Sequence, residues 1–281
     1  MLLAVLQAQQ AAAEQAVEFV PSVLDELNID VDPDGEPVPS SMVGLAGDGR
    51  PVESLLIGGK IAAKRAVTHG ASDAAALQVG GRWLDMAVQT LMADTGRMVE
   101  SVGVAARSGV GYVRMLNPPS CSRCVILAGR FYRYKSGFRR HPRCDCRHIP
   151  AKESIAGDLT VDPDRYFRSL PVEQQDKLFG QAGAQAIRDG ADINQVVNAR
   201  RGMTTAQVYG RELAVTTEGV TRRGVAYTAM RNAGYAERAT DIRTGRYFQA
   251  RAPRPMPESL YQIAENRADA LRLLRLYGYL T

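Results

Sequence analysis

Histidine is rare in this chain, with three in 281 residues, and tryptophan occurs once. Nothing approaches the run of roughly 18 apolar residues that a membrane-spanning helix needs. The start shows no basic stretch leading into an apolar segment and a small-residue cleavage site, so a soluble protein made in the cytosol is expected, without access to disulfide-forming machinery. Catalytic patterns are missing too. Gly58-Gly59-Lys60 lacks the first glycine and the Ser or Thr of a phosphate-binding loop. No G-x-S-x-G turn exists, and the one histidine far from the cysteines, His69, sits in an alanine-rich segment. A Ser-His-Asp or Cys-His arrangement therefore has no visible parts, and the chain is expected not to be an enzyme.

Cysteine is scarce but concentrated. All four fall within 26 residues, as Cys121 and Cys124, then Cys144 and Cys146, with His141 and His148 in the same window. Two thiolates in C-x2-C spacing close on one ion from a tight turn, and a second pair from a distant stretch completes a tetrahedron, so zinc is the expected ion. Two disulfides conflict with the expected compartment. A redox C-x-x-C pair leaves Cys144, Cys146 and the histidines unexplained, and four unrelated thiols would not cluster. Cys121 and Cys124 form the first pair. In an extended segment Cys144 and Cys146 project to the same side, whereas a turn at Pro142 brings His141 and Cys144 together; His141 ranks just behind the cysteines. His148 reads as a surface histidine or one bonding a thiolate or carbonyl beside the ion. With five ligands in the window and Asp145 the only acid there, the coordination is expected to be filled and the zinc structural.

Composition bounds the rest. At 45% hydrophobic residues the chain can bury a core, and its net charge of +5 is unevenly spread. Arg130, Arg133, Lys135, Arg139, Arg140, Arg143 and Arg147 place seven basic residues in eighteen positions, interleaved with Phe131, Tyr132, Tyr134 and Phe138. Such a strip can grip phosphates through bidentate guanidinium groups. It can equally be a solvated rim, or offset a thiolate-rich ion while the aromatics fill a small local core.

The apolar periodicity predicts a mainly α protein: an extended helical assembly with a small zinc-stapled loop/β module in its middle. The expected divisions are an N-terminal helix over 1–30, interrupted at Pro21, and a Pro-rich acidic linker over 31–54. A helical domain follows over 55–115, then the zinc module over 116–152 and a helical region over 153–281. In the 55–115 domain Leu77, Trp83, Leu84, Val88 and Leu91 offer the apolar stripe, Ser72 is a candidate N-cap, and Trp83 and His69 read as helix-packing residues. Asp162-Pro163 and Pro171-Val172 each open a helix, short helices follow at 183–188 and 193–200, residues 216–256 read as irregular or partly extended, and one last helix is expected from Glu258 to about Tyr277.

The stretch Asn117-Pro118-Pro119-Ser120-Cys121-Ser122-Arg123-Cys124, then Ala128-Gly129-Arg130-Phe131, closed by His141-Pro142-Arg143-Cys144-Asp145-Cys146-Arg147, resembles the signature of phage Mu F-like head morphogenesis proteins, the minor capsid proteins of tailed phages. Looser likeness to the actinobacteriophage type runs through Tyr166-Phe167, Gly183–Ile187, Val196–Gly202 and Arg267–Arg275. The resemblance implies a low-copy protein of the capsid interior near the portal, made in the host cytoplasm. Its implied partners are portal and major capsid or scaffold proteins and packaged double-stranded DNA contacted through phosphates, with no membrane. Two other functions compete: a capsid maturation protease, which needs the missing catalytic constellation, and a zinc-containing DNA-binding protein, which lacks the two-histidine ending of a base-reading finger.

Overall fold

The computed structural model describes residues 1–137, 141, 144, 146–221, 224–238, 248–250 and 253–280. The described residues are mainly helical and the sheets are small and antiparallel, so the protein is mainly α. It divides into two compact units, one formed by Met1–Ser120 with Leu127–Val161 and the other by Cys121–Ile126 with Asp162–Thr281.

The first unit is organised by α4. Helices α1 (Leu2–Val17), α2 (Phe19–Glu26) and α3 (Val52–Thr68) precede it, and α4 itself runs from Asp73 to Ala105, 33 residues or about 50 Å at 1.5 Å per residue. Ser72 is its N-cap, the hydroxyl accepting from the Ala75 amide at 3.4 Å. The break between α1 and α2 falls at Glu18, three residues before the proline that suggested it, and Pro21 is held in the first turn of α2, where its missing N–H costs nothing. Glycine lets α3 lie close against α4: a Cβ on Gly58 would stand 2.1 Å from the Trp83 ring, and one on Gly59 2.5 Å from Leu84. Gly58-Gly59-Lys60 is thus a helix-packing feature. Leu77, expected in the apolar stripe, is 72% exposed. The buried face is carried by Ala76, Gly80, Ala87 and Leu91, and His69 is exposed at the end of α3 instead of packing, its Nδ1 2.7 Å from the Arg65 carbonyl.

The Pro-rich stretch after α2 is pinned. Gln9 of α1 is fully buried, its amide nitrogen reaching the carbonyls of Met42 at 3.0 Å and Leu45 at 2.8 Å and the Thr95 hydroxyl at 3.0 Å, while its oxygen accepts from the Gly44 amide at 2.9 Å. One amide side chain thereby satisfies backbone groups that burial would otherwise leave unpaired. Val5, Ala46, Val52, Leu56 and Leu91 form the apolar cluster around it.

After α4 come β1 (Val110–Met115), α5 (Ser122–Leu127), β2 (Phe131–Arg133), β3 (Arg147–Lys152) and α6 (Ala156–Leu159). The strands form an antiparallel sheet in the order β2-β1-β3, with Tyr112 opposite Tyr132 and Arg114 opposite His148. Tyr112 and Tyr132 stack with ring centroids 5.1 Å apart, and Tyr112 meets His148 edge-on at 4.3 Å.

The second unit packs α7 (Pro163–Ser169), α8 (Val172–Phe179), α9 (Gln181–Arg188) and α10 (Ile193–Ala199). Asp162 and Asp192 cap α7 and α10 by accepting from the amides three residues on, as their sequence positions suggest. A hairpin of β4 (Met203–Val208) and β5 (Arg211–Thr216) follows, its two-residue turn Tyr209-Gly210 taking φ values of 53° and 71° that match the twist of the strands. Helix α11 (Val225–Asn232) interrupts the stretch read as irregular, burying Ala226, Tyr227 and Met230. Strands β6 (Ala236–Arg238) and β7 (Phe248–Ala250) pair beyond it, and β8 (Arg254–Pro255) joins β5. Residues 239–247 of that stretch lie outside the described residues. The expected last helix is two, α12 (Pro257–Ile263) and α13 (Arg267–Leu276), because Asn266 restarts the helix by capping it through the Asp269 amide at 3.0 Å. Arg254, 1% exposed, holds this unit together: it donates to the carbonyls of Tyr277 at 2.9 Å, Glu218 at 3.0 Å and Gly278 at 3.2 Å, and lies 3.8 Å over the Tyr279 ring.

Asp189, at the end of α9, accepts from the Tyr261 hydroxyl at 2.7 Å, Gln185 at 3.2 Å and Arg267 at 2.9 Å. Burial works against its charge, but these donors outweigh it and hold its carboxyl below the ordinary value of 3.8. A depressed carboxylate stabilises the fold above its unfolded-state value and loses that contribution as pH falls through the folded one. Asp189→Asn is expected to cost roughly 1–3 kcal/mol near pH 7. In urea unfolding the gap between the two proteins should narrow below pH 3.8.

Candidate metal centre

All four cysteines are thiols, and three of them, Cys124, Cys144 and Cys146, are buried. Two groups of ligands form: Cys121, Cys124 and His141, and Cys124, Cys144 and Cys146, with the donor atoms of each within 4.8 Å of one another. Sulfur ligands at about 2.3 Å around a tetrahedral ion stand roughly 3.8 Å apart, so the spacing fits a metal held by these side chains. The two groups share Cys124. Local backbone helps. At the start of α5 the Val125 amide bonds the Cys121 carbonyl at 3.1 Å and the Cys124 amide lies 3.4 Å from the Cys121 sulfur, closing the C-x2-C turn. The Cys144 amide bonds the His141 carbonyl at 3.0 Å.

The support behind Cys144 and Cys146 comes from α4, far away in sequence. Arg97 is 3% exposed. Its Nε donates to the Cys146 carbonyl at 2.8 Å, one terminal nitrogen donates to the Cys144 carbonyl, and the other donates to the Asp94 carboxylate at 2.9 Å. One turn further along the same face, Glu100, 1% exposed, accepts from His148 Nδ1 at 3.0 Å. His148 is itself 1% exposed, so it is neither a surface residue nor bonded to a thiolate through that nitrogen; its anchor is a buried carboxylate. Burial pushes the imidazole below its ordinary value of 6.5 even though Glu100 favours the cation. Tyr112, which closes the other side of His148, donates its hydroxyl to the Ser136 carbonyl at 2.7 Å, and burial raises it to about 12.

The basic strip divides by burial. Arg130, Arg133, Lys135 and Arg147 are exposed, and Tyr134 is 59% exposed. Arg133 stands 3.7 Å from Glu153 and Arg147 3.8 Å from Glu100, loose pairs with their cationic heads in solvent. Tyr132 is buried beneath Arg130, whose guanidinium lies 4.8 Å over its ring. Phe138, Arg139, Arg140, Pro142, Arg143 and Asp145 lie outside the described residues. Sequence reasoning missed Asp94, Arg97 and Glu100. Their spacing of three places them on one face of a helix, a signal that charged residues on a solvated face give equally well.

A mainly helical protein with a Cys/His cluster is the class that fold and site define. A family model described as VG15 protein matches residues 60–170, which takes in the whole cluster and most of α3 and α4. That match supports a phage protein. No curated protein and no solved structure matches the chain.

Glu100→Ala is expected to lower the unfolding free energy by roughly 1–3 kcal/mol, because His148 would stay buried after losing its partner. Urea unfolding followed by circular dichroism measures it.

Proposed function

We propose that this chain is a structural, non-enzymatic component of a tailed-phage head: a minor capsid protein of the Mu F-like head morphogenesis type, whose Cys/His cluster holds one zinc. The observation that carries the reading is the coincidence of two facts. The VG15 match spans 60–170, and within it lies the ligand cluster on whose spacing the Mu F-like resemblance rests. Soft thiolates with at most one imidazole favour zinc over the oxygen-seeking cations. Cys121, Cys124, Cys144 and either Cys146 or His141 would hold it, filling the coordination sphere, so the ion's role is to fasten the β2-β1-β3 sheet and its loops.

In this reading the protein sits inside the capsid near the portal, among portal and major capsid or scaffold subunits, after synthesis in the host cytoplasm. Packaged DNA is a natural second contact, favoured by the solvated cationic heads of Arg130, Arg133, Lys135 and Arg147. Such contact would be to phosphates and independent of sequence.

Two experiments test this. Elemental analysis of protein purified without chelator should find one zinc per chain, and Cys121→Ser should lose both the zinc and incorporation into assembled heads, measured by mass spectrometry of purified particles; a wild-type protein with under about a tenth of an equivalent would overturn the zinc reading. For the DNA contact, replacing Arg130, Arg133, Lys135 and Arg147 with alanine should flatten the salt dependence of duplex binding by up to about 3–4 in log-log slope, at roughly 0.9 per phosphate contact. An unchanged slope with fewer copies per head would assign the strip to a protein neighbour.

A further inference from the structure

Arg97 makes the contacts of a residue built for its backbone partners. Its side chain is 3% exposed, and its guanidinium donates to the carbonyls of Cys144 and Cys146 and to the carboxylate of Asp94. Burying a guanidinium is costly unless its donors are matched, and Asp94, 7% exposed, supplies the counter-charge from the same helix. The planar fork of arginine presents donors at fixed angles, which a lysine ammonium cannot do. Two carbonyls separated by one residue are thereby held at a set spacing and orientation, and this fixes where the two thiols of the C-x-C segment project. The Cys144 amide is tied as well, to the His141 carbonyl at 3.0 Å. The loop is thus braced on two sides by bonds that involve no ligand sulfur.

We propose that Arg97 is a positioning residue for the metal centre: it holds the carbonyls of Cys144 and Cys146, and so the two cysteines, in place before the ion arrives. The proposal rests on the metal reading above and adds to it a specific claim about the metal-free protein. Residues that orient metal ligands without touching the ion typically change affinity by about 10–100-fold when removed. Asp94 belongs to the same device, because it aims the guanidinium. Arg107 provides an internal comparison: it is on the same stretch of chain and 6% exposed, but donates at 2.8 Å to the Gly103 carbonyl, four residues back, and, among the described residues, to none of the cysteines or His141.

The test uses the full chain with zinc as the probe, titrated against a chromophoric chelator, in wild type and in the variants Arg97→Met, Arg97→Lys and Arg107→Met. The expected result is a zinc affinity about 10–100-fold weaker in Arg97→Met, a smaller loss in Arg97→Lys, and wild-type affinity in Arg107→Met even where its melting temperature falls. A second readout is amide hydrogen exchange at Cys144 in zinc-free protein, which should be slow in wild type and fast in Arg97→Lys. If Arg97→Met does not fold, the lysine variant and this exchange measurement decide. Equal zinc affinity in folded Arg97 variants, equal losses in Arg97→Met and Arg107→Met, or fast exchange in zinc-free wild type would each overturn the proposal while leaving the metal reading intact. A wild-type chain that binds no zinc would overturn both.

Discussion

The first unit depends on a constraint of charge burial. Helix α4 turns a face carrying Asp94, Arg97 and Glu100 toward Cys144, Cys146 and His148, and all three residues are 7% exposed or less. Ionised groups in that position are tolerable only when each finds partners, since an unmatched one would cost several kcal/mol. The strand side supplies what is needed: two carbonyls for Arg97, and an imidazole for Glu100. Apolar residues on this face would pack as well but would not fix register, because hydrophobic contact is non-directional. The polar bonds align a loop to a helix position by position, and the ligand cluster inherits that alignment.

This arrangement explains which parts were legible in the sequence. The Cys/His cluster was, because C-x2-C and C-x-C spacings leave few other uses for clustered thiols. The cap Ser72 and the helix start at Asp162-Pro163 were, because capping is a local interaction between neighbours in the chain. What escaped depends on partners distant in sequence. Arg97 and Cys146 are 49 positions apart, Gln9 and Leu45 36 apart, and a charged residue inside a helix pattern looks the same whether it faces water or a carbonyl.

The same reasoning covers the misread segments. Residues 31–51 carry the prolines and acids of an exposed linker, yet Gln9 and the apolar groups Ala46 and Val52 draw part of them into the core. Leu77 fits a helical stripe, but Ala76 and Gly80 are the buried positions of this part of the helix and Leu77 is 72% exposed. Helix α11 hides among glycines and arginines, since an eight-residue helix needs only the three buried positions Ala226, Tyr227 and Met230 and gives too short a periodic pattern to recognise. Gly58 and Gly59 carried the opposite risk: glycine pairs suggest a phosphate loop, and here they make room for Trp83 and Leu84.

Arg254 has a consequence for the order in which the second unit can form. Its side chain gathers Glu218, from the loop after β5, with Tyr277, Gly278 and Tyr279, some sixty residues further on. A nascent chain synthesised up to α12 already contains the hairpin and five helices, α7 to α11, but the Arg254 guanidinium would still lack the carbonyls of Tyr277 and Gly278 and the Tyr279 ring that make burial tolerable. Closure must therefore wait for residue 279 to emerge. Completion of this core is thereby tied to Tyr277, Gly278 and Tyr279, the last partners of Arg254 in the chain.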